Sequence, residues 1–191
     1  MQLTRKTIPV LLFLALTIGC MDLGVKDRPT DPNVPTSNFD LRNDLFTFSR
    51  DLEDFDTLQI VADLSVCTTW GHELNILTKD ENEVFIKSFA EGEFVDKEEQ
   101  EMAKVEYSVP ESNTLSFESF FEYLRANDPK ERKNSYALFS IIYKNDTINF
   151  YSEGLIDRLQ KIDYYRQIKR RIYPDIPMYQ PVVVPAVEDE L

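Results

Sequence analysis

From Leu58 the chain alternates apolar and polar residues, and this alternation constrains the fold more than any other feature. Leu58, Ile60, Ala62, Leu64 and Val66 fall on one side and Gln59, Asp63 and Ser65 on the other, as in a strand with one apolar face. Such a strand needs sheet neighbours and a layer of helices against its apolar side. The preceding residues offer that layer. Ser37 reads as an N-cap, and Leu41, Leu45, Phe48, Leu52 and Phe55 follow at helical spacing, so that they share one face.

Beyond the first strand the register of a hairpin through Thr69-Trp70-Gly71 has two solutions. A two-residue loop pairs Thr69 with His72 and puts Cys67 and His72 on one face, but sets Leu64 and Val66 beside Glu73 and Asn75. A three-residue loop pairs Thr68 with His72 and keeps Leu64 and Val66 with Leu74 and Ile76. The second keeps the apolar face together and separates Cys67 from His72. It predicts a meander in which Leu74, Ile76 and Thr78 lead through a polar turn at 79–82 into Val84, Ile86 and Ser88. Phe85, Phe89 and Leu77 then point to the other face, which needs partial cover.

The run Asp96-Lys97-Glu98-Glu99-Gln100-Glu101 reads as a solvated loop or short helix. Val105, Tyr107 and Val109 suggest a further strand ended by Pro110. Ser116 caps a helix whose Phe117, Phe120, Phe121 and Leu124 share a face. Tyr136 to Lys144 and Thr147 to Ser152 flank Asn145-Asp146, which predicts a hairpin with Lys144 opposite Thr147. Leu155 to Tyr173 form the long helix, ended by Pro174. The order predicts an α+β fold: a mainly antiparallel sheet of about six strands, a meander plus a hairpin, with three helices.

Ahead of this domain, Arg5 and Lys6 precede an uncharged apolar run from Ile8 to Ile18 that stops at Gly19-Cys20. Eleven helical residues cover roughly half of a 30 Å hydrocarbon core, too little for a permanent span. Leu16-Thr17-Ile18-Gly19-Cys20 resembles the lipobox of bacterial lipoproteins. The resemblance covers the signal alone and implies removal of residues 1–19 and lipidation of Cys20. It departs from the usual pattern at Thr17, where leucine is commonest. Residues 21–36 hold three prolines and no apolar periodicity, a tether reaching roughly 50 Å. The organisation read here is therefore a signal (1–19), a lipidated cysteine and tether (20–36), one domain (37–174) and a Pro-rich tail (175–191), working in the cell envelope outside the cytoplasm.

The chain has 21 basic and 34 acidic residues; without Arg5 and Lys6, 19 remain against 34, a formal charge of −15. This balance opposes binding to nucleic acid. With Cys20 lipidated, Cys67 has no disulfide partner. No Gly-rich phosphate loop, nucleophile elbow, dinucleotide fingerprint or metal-ligand spacing occurs, which points to no cofactor and no metal. The leading expectation is a non-enzymatic envelope module with a protein partner. Trp70 is a candidate anchor, and Arg166, Lys169, Arg170 and Arg171 on the long helix are a candidate cationic surface. Two alternatives are a small-ligand binder with an aromatic cavity beneath the phenylalanine helix and a hydrolase using Cys67 and His72.

Overall fold

The computed structural model describes residues 37–67, 69–93, 99–112, 114–129 and 136–180. The signal, Cys20, the tether, positions 96–98 of the acidic run and the tail beyond Gln180 lie outside the described residues.

The first helical segment is broken into α1 (Leu41–Asp44), a 3-10 turn (Leu45–Thr47) and α2 (Phe48–Asp51). Its cap is Asp40, which accepts from the amides of Arg42 and Asn43, rather than Ser37. Ser37 instead bonds Asp56 and accepts from the Tyr143 hydroxyl. Leu41, Leu45, Phe48 and Leu52 are buried as their spacing predicts, while Phe55, past the helix at a positive φ, is exposed. The strands are β1 (Thr57–Asp63), β2 (Gly71–Asp80), β3 (Glu83–Gly92), β4 (Glu99–Glu101), β5 (Val105–Tyr107), β6 (Phe139–Tyr143) and β7 (Asp146–Phe150). They form one seven-stranded sheet in the order β4-β3-β2-β1-β6-β7, with β5 also on β3, and every pairing is antiparallel. The acidic run thus supplies an edge strand at 99–101 in place of the loop or short helix its charge suggests.

Helix α3 (Phe117–Ala126) starts at Ser116, whose hydroxyl accepts from the Ser119 amide while Ser119 reaches back to Ser116. Helix α4 spans Leu155–Ile172. Phe120 meets Phe139 edge-on at 5.0 Å between ring centroids, and Tyr165 lies 5.3 Å from Phe139. These contacts set α3 and α4 on the side of the sheet that buries Leu58, Ile60, Ala62, Leu77, Ile86 and Ile141. The molecule is therefore the expected α+β fold, with its helices on one face of the sheet and the other face open among the described residues.

Two registers differ from expectation. The first hairpin turns between Val66 and Thr69, with Asp63 opposite His72 and Leu58 opposite Leu77. That places Glu73, Asn75 and Lys79 on the covered face and Leu74 and Ile76 on the open one, the reverse of the apolar-matching register. Continuing through β3, Leu74 pairs with Phe89 and Leu77 with Ile86, so Leu77 lies inside and Phe85 and Phe89 lie outside. Cover for those two rings comes from lysine side chains: Lys104 Nζ, from the link between β4 and β5, stands 4.3 Å from the Phe85 centroid and Lys87 Nζ 5.1 Å from that of Phe89. The last hairpin turns at Lys144-Asn145, one residue early, with Tyr143 opposite Asp146. Lys144 takes the positive φ of 52° and its ammonium lies 3.6 Å from Asp56. The apolar sides of β6 and β7 still coincide as predicted.

Candidate functional site

Reversal of the β2 register creates two features on opposite sides of that strand. On the open face, Val61, Leu74, Ile76 and Phe89 from three adjacent strands form the floor of an open hollow of about 830 Å³. Gln59 stands at one end and His72 and Glu91 at the other. Asp63, His72 and Glu91 are directly opposed across β1, β2 and β3, a row of carboxylate, imidazole and carboxylate.

Asp63 is held in place from α4. Arg158 Nη2 lies 2.9 Å from its carboxylate, and the same guanidinium donates to the carbonyls of Asp63 and Ser65 at 3.0 and 2.6 Å. Partial burial pushes the Asp63 carboxyl up, but hydrogen bonds from Ser65 and Arg158 outweigh it and leave the group below the usual carboxylate range. His72 Nδ1 stands 3.8 Å from Asp63, at the outer limit of an ion pair. Trp70, half exposed, has its ring 6.2 Å from that of His72.

Cys67 is exposed at the tip of the same hairpin, with φ 48°. His72 lies three positions beyond the tip pair Val66/Thr69, roughly 10 Å along the strand. No hydrogen bond joins the two among the described residues. The pair fails to meet because Cys67 belongs to the turn itself, and not for the reason of register that the sequence suggests. Among the described residues no three His, Cys, Asp or Glu side chains are grouped to hold a metal ion.

On the covered side, Glu73 and Lys169 form an ion pair within a polar cluster. Glu73 Oε1 accepts from Lys169 Nζ at 2.5 Å and from the Tyr165 hydroxyl at 2.7 Å, and Oε2 accepts from the Tyr179 hydroxyl at 2.6 Å. Lys169 also donates to Asn75 Oδ1 at 2.5 Å and Ser88 Oγ at 2.6 Å, which uses its third proton. The rings of Tyr173 and Tyr179 stand 4.6 and 5.5 Å from the ammonium. Burial lowers the Lys169 pKa, with Glu73 opposing. Burial, then the charge of Glu73, holds Tyr165 and Tyr179 well above the ordinary phenol value. Every donor on Lys169 and both oxygens of Glu73 are satisfied, so the cluster ties α4 and the turn Pro177–Tyr179 to β2.

The cationic set on α4 is therefore divided. Lys169 is fully buried, which removes it from any surface. Arg170 Nε donates to the Tyr179 carbonyl, and Arg171 donates to the carbonyls of Leu115 and Ser108 at 3.0 and 2.9 Å. Arg166 lies with Met178 and Tyr179 beside a small recess of about 30 Å³. Charge composition alone suggested one surface; the intervals from 166 to 171 turn these side chains to different sides of the helix.

The phenylalanine face of α3 fills its own space. Phe117, Phe120 and Phe121 are fully buried, and Phe117 and Phe121 stack at 6.0 Å. The hollow on the open face lies elsewhere; of its floor residues, alternation places Leu74 and Ile76 in the core and Phe89 on the other face. No protein-family model, curated protein or solved structure is significantly similar to this chain.

Proposed function

We propose that this domain binds a small, mainly apolar ligand on the open face of its sheet, as a non-enzymatic binding module held at a membrane surface through lipid on Cys20. The observation that carries the reading is the hollow of about 830 Å³ over Val61, Leu74, Ile76 and Phe89. Its volume lies within the range of roughly 300–1,000 Å³ common to ligand sites, and polar groups stand at both ends of an apolar floor. An occupant with an apolar body and a polar end matches that order. The lipobox resemblance and the tether supply the envelope part of the reading, and the ligand would be one met outside the cytoplasm.

Titration of the purified protein with the neutral apolar dye N-phenyl-1-naphthylamine tests it. Saturable enhancement of the dye, with a shift in emission of Trp70, the single tryptophan, is the expected result. Leu74→Glu places a charge in the floor and should abolish both signals while the thermal transition is retained. Enhancement that survives Leu74→Glu, or none with the native protein, defeats the reading.

A further inference from the structure

The free edge of the sheet carries a second hollow that the proposed ligand site does not use. Among the described residues, strand β7 ends the strand order and pairs on one side only, with β6. Thr147 and Asn149 from its open face and Ile148 and Phe150 from its covered face all line a hollow of about 590 Å³. A hollow lined by both faces of a strand runs along the strand's edge, where β7 has no second strand partner among the described residues.

The far wall is built by the first helical segment and the end of α3. Leu45 and Phe46 give it an apolar surface, and Arg42 and Arg125 lie on its rim. The Arg125 guanidinium stacks over the Phe46 ring at 4.9 Å. Neither Arg42 nor Arg125 makes an ion pair among the described residues, whereas Arg50 and Arg158 bind carboxylates. The one carboxylate in the lining, Asp128, accepts from the Tyr151 amide at 3.1 Å, so two guanidiniums against one carboxylate leave the hollow positive in a chain of 34 acidic and 21 basic residues and favour an anionic occupant.

We propose that the β7 edge is a docking site for an extended segment of a partner protein, which adds to the sheet as a further strand. Five residues of β7 offer about 17 Å of edge, enough for a segment of similar length. Alternate side chains of the added strand face the helices. One of these is acidic and meets Arg42 and Arg125; the next, two positions along, is apolar and lies on Phe46 and Ile148. Main-chain bonds supply affinity, and the acidic position sets the choice of partner.

A fluorescein-labelled octapeptide alternating threonine with, in turn, glutamate and valine is the probe, and the same peptide with lysine for glutamate is its control. With the full chain, anisotropy should show saturable binding of the acidic peptide at least tenfold tighter than of the basic one. Arg42→Glu with Arg125→Glu should reverse that order, and amide hydrogen exchange at residues 146–150 should slow in the complex. Equal affinity for the two peptides, no saturable binding, or slowed exchange confined to other strands would overturn the proposal. So would self-association of the native chain lost on the arginine substitutions, which would put a second copy on this edge.

Discussion

The carboxylate of Glu73 on β2 and the ammonium of Lys169 on α4 stand 2.5 Å apart, and neither side chain reaches solvent. A pair so placed has lost its hydration, and its stability rests on the partners that surround it. Removing one member leaves the other charged and unmatched. Glu73→Gln and Lys169→Met should each lower unfolding free energy by roughly 3–5 kcal/mol in urea titrations. The double variant Glu73→Gln/Lys169→Met should lose clearly less than the sum of the single losses. Strict additivity would show that the two charges act independently.

The same cluster sets an alkaline limit. Tyr165 and Tyr179 are held well above the phenol value of 10.0, by burial first and then by Glu73, and Tyr107 and Tyr173 are also raised. A raised folded pKa means that the unfolded chain releases its proton first as pH climbs. Stability from these groups is complete below about pH 10 and declines above it, by roughly 1 kcal/mol per tyrosine per pH unit while the folded phenol stays protonated. Lys169, lowered from 10.5, works the other way but is one group against four. Unfolding free energy measured between pH 8 and 11 should fall beyond pH 10, and Tyr179→Phe should flatten the fall.

Gly92 faces Gly71 across β2 and β3, at the end of the hollow nearest Trp70. A Cβ at Gly92 would sit 2.6 Å from both the Gly71 Cα and the Trp70 carbonyl oxygen, and its φ of 137° disfavours any side chain. Both obstacles are backbone and do not rotate away. Gly92→Ala should therefore cost about 2 kcal/mol or more and weaken dye binding by displacing the Trp70 strand. A melting temperature within a degree of the native protein would refute the close approach.

Lipidation is tested at its one candidate atom, the Cys20 thiol. Cys20→Ala should abolish labelling by a radioactive lipid precursor and move the protein from the membrane fraction to the soluble one. Retained labelling of that variant would assign the lipid to another residue.

Elements whose apolar residues lie within a few turns of one another were legible. The stripes Leu41-Leu45-Phe48-Leu52 and Phe117-Phe120-Phe121-Leu124 were read at their observed faces, and α4 at almost its observed length. Leu155, Ile156 and Leu159 belong to the same apolar pattern yet are exposed, while Arg158 of the same turn reaches the end of β1. The β2 face was misread for a different reason. Alternation prefers Leu74 and Ile76 inside, and nothing near Glu73 or Asn75 shows that Lys169 and Tyr179 will meet them. Asn145-Asp146 suits positive φ and so predicts the β7 turn one residue late; in the structure Lys144 takes the positive φ, with its ammonium 3.6 Å from Asp56. Neither hollow is legible in the sequence, because each takes residues from elements that only the tertiary fold brings together.

The bond from Tyr179 to Glu73 spans 106 residues and has a consequence in time. A ribosome releases Glu73 long before Tyr179, so a growing chain holds β2 with a carboxylate that has no place in an apolar core. Until the last turn of the domain is out, water is the better partner for that group. The covered face of β2 therefore reaches its full stability only when α4 and the turn Pro177–Tyr179 are in place against it.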